Sequence, residues 1–188
     1  ILQKSEDAFS DGGSLNGLKK ALVLMHQRRQ QEPMKIPVVK NMVKQELDAG
    51  RQVVVFLSRV NDSDVIKRTK MWGSNRELVD IIEEVIHSSE GTVKTLKKEL
   101  EAMGIKDIAE LHGGSKEAAP DSMDKFQTGK ARVMLATLES GGTGINLDDI
   151  TGDAPRTIIF MTAPFSAVEN IQGAGRVWRM TTKSQPKI

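Results

Sequence analysis

The sequence RVMLATLESGGTGINL, residues 132–147, decides the fold of this chain. Its start, residues 132–136, is apolar after the first position and predicts a buried strand. Glycines at 141, 142 and 144 then let the backbone turn tightly and come close to a ligand, so that successive N–H groups can face a phosphate. Tight turns use the same residues, so the loop alone is weak evidence. We call residues 137–147 the glycine loop.

Strands and helices alternate on both sides of this stretch. The apolar runs predict strands at residues 52–57, 108–111, 132–136 and 157–161. Apolar residues at three- and four-residue steps predict helices at 36–49, 92–103, 121–126 and 166–179, with Gly50 and Gly104 as helix stops. Such alternation indicates an α/β fold, in which a parallel sheet is covered by helices on both faces.

Residues 61–91 interrupt the alternation. A crossover between the strand at 52–57 and the helix at 92–103 needs one helix, yet residues 62–70 and 76–87 also look helical. We therefore predict a helical insertion, whose apolar side docks on its own domain or, as the alternative, on a partner or nucleic-acid surface. Residues 1–33 are predicted to form an N-terminal helical segment with a helix at 14–31, and residues 34–188 the main domain.

Bulk composition excludes several classes of protein. With 38% hydrophobic and 28% charged residues, and no apolar stretch near the about 20 residues that span a bilayer, the chain is expected to be soluble, without a membrane partner. Its net charge of +2 permits a nucleic-acid partner without requiring one. The lack of cysteine and three scattered histidines argue against a protein-held metal. A start at Ile1 without an initiator Met or a secretory leader suggests an excised fragment or a processed piece. The lack of cysteine fits a reducing compartment, and the expected location is intracellular, in the cytoplasm or nucleus, with viral or phage origin as an alternative.

A second motif, ENIQGAGRVWR at residues 169–179, lies in the predicted last helix. Arg176 and Arg179 are three residues apart, so they are predicted to share a helix face, with Gln172 one turn earlier. Two adjacent guanidinium groups suit the oxygens of a transferring phosphoryl group, although an isolated pair is more often a basic helix end. The two glycines of the motif weaken a helix, which calls for a reason such as close packing.

Together these motifs resemble those of superfamily 2 helicases. Residues 141–147 resemble motif V, residues 172–179 resemble motif VI, and the nearest groups are the Swi/Snf-type remodelling ATPases and the strawberry notch group. Upstream, residues 53–59 resemble motif IV, and residues 110–115 resemble the next motif with its His-Gly turn. The resemblance covers roughly residues 35–179, without the insertion.

The sequence departs from the pattern of the remodelling ATPases in two places. Trp178 stands where a histidine often precedes the second arginine. The residues after that arginine are Met180, Thr181 and Thr182 in place of an Ile-Gly-Gln turn. The subfamily is therefore left open.

The resemblance implies a three-layer RecA-like domain that is the C-terminal lobe of an ATP-dependent helicase or translocase. Arg176 and Arg179 would be arginine fingers, and Gln172 would help to arrange the site. The residues that would sense nucleotide are Gly142, Thr143, Gly144 and Asn146. The residues that would line the nucleic-acid backbone are Ser58, Arg59, His112, Gly113, Thr137, Ser140 and Gly141. Backbone contacts of this kind read no base sequence.

Two parts that ATP hydrolysis needs in this superfamily are absent from the sequence. There is no glycine-rich loop ending in Gly-Lys-Ser or Gly-Lys-Thr, and no Asp-Glu box. The pair Asp148-Asp149 follows the glycine loop and is predicted to be a surface turn. We therefore expect ATP with Mg²⁺ to be held mainly by a missing first RecA-like lobe, and the isolated chain to be inactive. The expected partners are that lobe and DNA, with RNA as the alternative.

Two other functions fit part of the pattern. A lobe that has lost catalysis could hold nucleic acid or act as a scaffold. A nucleotide-sugar transferase lobe of the Rossmann type also brings a glycine loop and an arginine to a diphosphate. The transferase alternative does not explain why the four motif-like segments occur in the order found in helicases.

Overall fold

A computed structural model describes residues 31–57, 70–72, 78–80, 91–112, 119–137, 145–162 and 167–188, the two short ranges by their backbone alone. The predicted helix at residues 14–31 lies almost entirely outside these ranges. The N-terminal segment 1–33 and the insertion 61–91 as domain divisions stay predictions.

The described residues form an α/β fold. A 3-10 turn, Pro33–Lys35, leads into the first helix. The elements in chain order are α1 (Ile36–Asp48), β1 (Gln52–Leu57), β2 (Lys70–Trp72), β3 (Leu78–Asp80), α2 (Thr92–Ala102), β4 (Ile108–Leu111), α3 (Ala119–Gln127), β5 (Val133–Thr137), β6 (Arg156–Phe160) and α4 (Ala167–Ala174). Four of the strands make one parallel sheet in the order β4-β5-β1-β6.

Helices cover both faces of this sheet, which confirms the predicted layers. On one face, α1 and α2 pack their buried side chains, such as Val43 and Leu96, against Val53 and Val55 of β1. On the other face, α3 contributes Phe126, which packs with the alternate residues of β1. Every residue of β1 is buried, as expected for a central parallel strand. None of the described helices is long and apolar enough to span a membrane.

The predicted helix stops are also confirmed. Gly50 has a φ of 79° and Gly104 a φ of 86°, in the left-handed region that favours glycine at the end of a helix. Strand β5 begins one residue later than predicted and β6 one residue earlier. Because the four strands are parallel, their carboxyl ends lie at one edge of the sheet, where α/β proteins bind ligands.

The helical prediction for residues 62–70 and 76–87 is wrong where the structure describes them. Strands β2 and β3 pair antiparallel, with Lys70 opposite Asp80 and Trp72 opposite Leu78. Apolar spacing favoured a helix here, but Gly73, Ser74 and Asn75 between the strands are typical turn residues. The described part of the predicted insertion is therefore a pair of antiparallel strands.

Candidate functional site

Two segments that are distant in sequence lie side by side at the candidate site. The end of the glycine loop, residues 145–147, runs next to residues 175–183, which we call the arginine segment. The Leu147 N–H donates to the Arg176 carbonyl at 2.9 Å, and Nη2 of Arg179 donates to the Ile145 carbonyl at 3.0 Å. Ile145, Leu147 and Val177 are buried in the same core cluster. Apolar packing and hydrogen bonds thus bring the two predicted motifs together.

Helix α4 ends before the arginines. The Gly175 N–H still donates to the Ile171 carbonyl at 2.8 Å, but the Val177 N–H donates to the Ala174 carbonyl, only three residues back, at 3.0 Å. A Cβ on residue 175 would lie 3.1 Å from the Ile171 carbonyl oxygen. A side chain at residue 175 would therefore press on the backbone of its own preceding turn.

Arg176 and Arg179 do not share a helix face, so that prediction is wrong, because both residues follow the last residue of α4. They are nevertheless close in space. Burial lowers the pKa of the half-buried Arg176, and the positive charge of Arg179 lowers it further. Two guanidinium groups that repel each other favour binding of an anion, and phosphate oxygens match their donors.

An open cavity of about 700 Å³ adjoins Arg179. It is lined by Asn146, Gly175, Trp178, Arg179, Met180 and Thr181. The side chain of Trp178 is 64% exposed, and Met180 is fully exposed. The cavity therefore combines a cation, an amide and an aromatic face. Sequence reasoning recorded Trp178 only as a departure from the remodelling pattern and gave it no role; its aromatic character beside an arginine was the available signal.

Two of the predicted nucleic-acid contacts lie near the ends of adjacent strands. Thr137 is the last residue of β5 and is 5% exposed, while His112 follows β4. Nε2 of His112 lies 3.0 Å from Oε2 of Glu110, whose Oε1 accepts from Nζ of Lys97 at 2.6 Å. Burial alone would raise the pKa of Glu110, but the hydrogen bonds from Lys97 and His112 hold it below its ordinary value. His112 is thus oriented by an acid at this edge.

The structure describes only part of the predicted set. Gln172 is exposed on the last turn of α4, and no described contact joins it to the arginines. The predicted residues outside the described ranges are Ser58, Arg59, Gly113, Ser140, Gly141, Gly142, Thr143 and Gly144. Within the described residues, Asn146, Arg176 and Arg179 are the predicted residues brought to one site, and their roles stay predictions.

The acidic pair at 148–149 corrects the sequence reasoning, because both residues are fully buried instead of forming a surface turn. Oδ1 of Asp149 accepts from the Gly152 N–H at 2.8 Å and from the Thr151 N–H at 3.2 Å. Burial alone would raise the pKa of Asp149, but the Ser184 hydroxyl, the Gly152 N–H, the Thr151 hydroxyl and the charge of Arg156 hold it below its ordinary value. Oδ2 of Asp148 accepts from the Thr181 hydroxyl at 2.5 Å.

No cluster of three or more His, Asp or Glu side chains within the described ranges is arranged to hold a metal ion.

Comparison with known families identifies the domain. Residues 83–181, more than half of the chain, match the family described as the helicase conserved C-terminal domain. The chain is a helicase C-terminal domain. The match includes His112, Asn146 and both arginines, and it leaves the nucleotide-sugar transferase alternative without support. Curated protein sequences give no match to this helicase C-terminal domain.

Solved structures of superfamily 2 helicase lobes share its fold. The C-terminal part of the Fun30 ATPase domain is 20% identical, with a TM-score of 0.55 over 82% of this chain and 39% of that chain. Helicase Lhr of Mycobacterium smegmatis, solved with ssDNA and AMP-PNP, is 19% identical, with a TM-score of 0.51 over 80% of this chain and 16% of its own. Dbp5 of S. cerevisiae, solved with RNA and ADP BeF3, is 16% identical, with a TM-score of 0.50 over 83% of this chain and 32% of its own.

At these identities the likeness concerns the RecA-like fold. This helicase C-terminal domain spans less than two-fifths of the chains of the three structures that it resembles.

Proposed function

We propose that this domain is the second lobe of an ATP-dependent nucleic-acid translocase, in which Arg176 and Arg179 complete a nucleotide site held mainly by a first lobe. The supporting observation is that Arg179 lines the open cavity with its guanidinium group bonded to the end of the glycine loop, and that the Arg176 backbone is bonded to the same loop end. A transferring phosphoryl group is stabilised by such preorganised cations. The residues present therefore fit the phosphates of ATP.

The cavity suits the remainder of the nucleotide. Asn146 can hydrogen-bond to a sugar or base edge, and the exposed face of Trp178 can stack on a base. Mg²⁺ would be held by the first lobe, because the sequence has no Asp-Glu box. Bound ATP supplies the phosphoanhydride whose hydrolysis drives the movement.

The nucleic acid would lie along the carboxyl edge of the sheet. Thr137 and His112 are at the ends of β5 and β4, which are adjacent parallel strands. Lhr is solved with ssDNA and Dbp5 with RNA, so structures of this fold engage either polymer. We propose DNA as the track, with RNA as the alternative.

The test is steady-state ATP hydrolysis by the full-length protein that contains this domain, with DNA or RNA added. Arg176→Ala and Arg179→Ala should each lower kcat by about 1,000-fold with little change in KM, since an arginine finger acts in the transition state. Lys125→Ala is the matched control, because Lys125 is an exposed cation paired with Asp121 on α3, and it should leave kcat unchanged.

Three results would contradict parts of this proposal. Normal kcat in both arginine variants would remove their role. Robust ATP hydrolysis by the 188-residue chain alone would overturn the two-lobe account. A full-length protein that binds nucleic acid but never hydrolyses ATP would support the inactive scaffolding alternative.

A further inference from the structure

Beyond Val177, the arginine segment has no apolar packing to hold it in place. Val177 is fully buried, but the next four residues, 178–181, are exposed, with Trp178 64% exposed and Met180 fully exposed. No side chain of residues 178–181 is buried in the apolar core, and Arg179 is one of these residues. The position of Arg179 must therefore depend on hydrogen bonds.

Those hydrogen bonds lead to the buried acidic pair. The Thr181 hydroxyl donates to Oδ2 of Asp148 at 2.5 Å, and the Lys183 N–H donates to the Asp149 carbonyl at 2.8 Å. The Arg179 N–H in turn donates to the hydroxyl oxygen of Thr182, which lies between these two residues, at 2.7 Å. The backbone that follows Arg179 is thus connected both to Arg179 and to residues that follow the glycine loop.

The acidic pair is a rigid point of attachment. Asp148 and Asp149 are both fully buried and continue directly from the core residue Leu147. Arg156, which is 1% exposed, interacts electrostatically with both carboxylates, so the buried negative charge is partly compensated. A hydrogen bond to a buried carboxylate is stronger than one between neutral groups in water.

We infer that Asp148 is a positioning residue that acts through the Thr181 hydroxyl to hold Arg179 at the nucleotide site. This inference rests on the proposed function of Arg179. Without this hydroxyl, the exposed residues 178–181 would lose the side-chain hydrogen bond that ties them to the buried Asp148. A displacement of about 1 Å at a catalytic group can reduce a rate up to about 100-fold.

Thr181→Val removes the hydroxyl while nearly conserving shape, and Thr181→Ser restores it. In the full-length protein, Thr181→Val should lower kcat for ATP about tenfold with KM nearly unchanged, and Thr181→Ser should recover activity to within about twofold of the unmodified protein. Thr128→Val is the control, since it removes another threonine hydroxyl bond, 2.7 Å to the Asp124 carbonyl at the end of α3, and should leave kcat unchanged.

The decisive measurement is the double variant Thr181→Val/Arg179→Ala. If Thr181 acts through Arg179, the double variant should be no slower than Arg179→Ala alone. An additional tenfold loss there, or a loss that Thr181→Ser does not repair, would show a general structural effect and overturn the inference. So would a normal kcat in Thr181→Val when Arg179→Ala is impaired. A normal kcat in Arg179→Ala would instead refute the proposed function itself, and the inference with it.

Discussion

Replacing Phe126 with Leu should reveal how strongly the buried Arg156 depends on the ring beneath it. Cζ of Arg156 lies 4.6 Å from the centroid of the Phe126 ring, and Nη2 donates to Oε1 of Gln127 at 3.1 Å. Phe126 is fully buried and Arg156 is 1% exposed. Burial lowers the pKa of Arg156, whereas the charges of Asp149 and Asp148 oppose that change.

The expected magnitude follows from this burial. A cation over an aromatic ring contributes about 0.5–1 kcal/mol at an exposed site and about 2 kcal/mol when desolvated, and this pair belongs to the second class. Loss of ring contacts within the core adds about 1 kcal/mol. Phe126→Leu should therefore lower the free energy of unfolding by about 3 kcal/mol.

A double-mutant cycle separates the two contributions. The four proteins are the unmodified chain, Phe126→Leu, Arg156→Met and the double variant, each unfolded in urea and followed by far-ultraviolet circular dichroism. Methionine keeps much of the length and apolar contact of arginine, and the effect of Arg156→Met on the acidic pair cancels in the cycle. We expect a coupling free energy of about 2 kcal/mol between the two residues. A coupling below about 0.5 kcal/mol would refute the view that the ring stabilises the buried charge.

Two further predictions concern the pH dependence of stability and the cavity. Glu46 accepts hydrogen bonds from Lys187 and Thr157. These bonds, that from Lys187 above all, hold the pKa of Glu46 below its ordinary value of 4.5. A lowered pKa contributes stability that is present above the ordinary pKa and is lost as the pH falls. Glu46→Gln should therefore lower the free energy of urea unfolding by about 1 kcal/mol near pH 7, and by progressively less below about pH 4.5. An equal loss of stability at both pH values would contradict this prediction. Trp178→Ala should raise KM for ATP about tenfold with kcat retained, while Trp178→Phe keeps most of the affinity; an unchanged KM in the alanine variant would exclude base stacking.

The sheet was predictable from sequence because its strands are unusually apolar. The run at residues 52–57 has no polar residue after Gln52, and a continuous apolar run of this length is typical of a strand that is buried on both faces. Gly50 and Gly104 were equally informative, since the left-handed φ values they adopt strain other residues. These are local signals, and each was read correctly.

Features that depend on distant contacts were missed. Asp148 and Asp149 look like a surface turn because acids beside Thr and Gly usually are one. Their burial depends on Arg156 and on a hydroxyl at Thr181, 33 residues away, which no local pattern reveals. The end of α4 was predicted too late for a related reason. Apolar spacing continues to Trp178, but the helix ends at Ala174 and Val177 is buried in the core cluster beyond that end.

The early end of α4 has a consequence for the proposed function. On a continuous helix, the arginines would move with the helix. Here Arg179 is bonded to the Ile145 carbonyl and the Arg176 carbonyl to the Leu147 N–H, so both arginines are tied to the end of the glycine loop. The resemblance to superfamily 2 helicases implies that this loop senses nucleotide and strand together. Under the proposed function, a displacement of the loop by nucleic acid would move the backbone of Arg176 and the side chain of Arg179 directly, so that binding of the track would be coupled to ATP hydrolysis through two hydrogen bonds and not through the length of a helix.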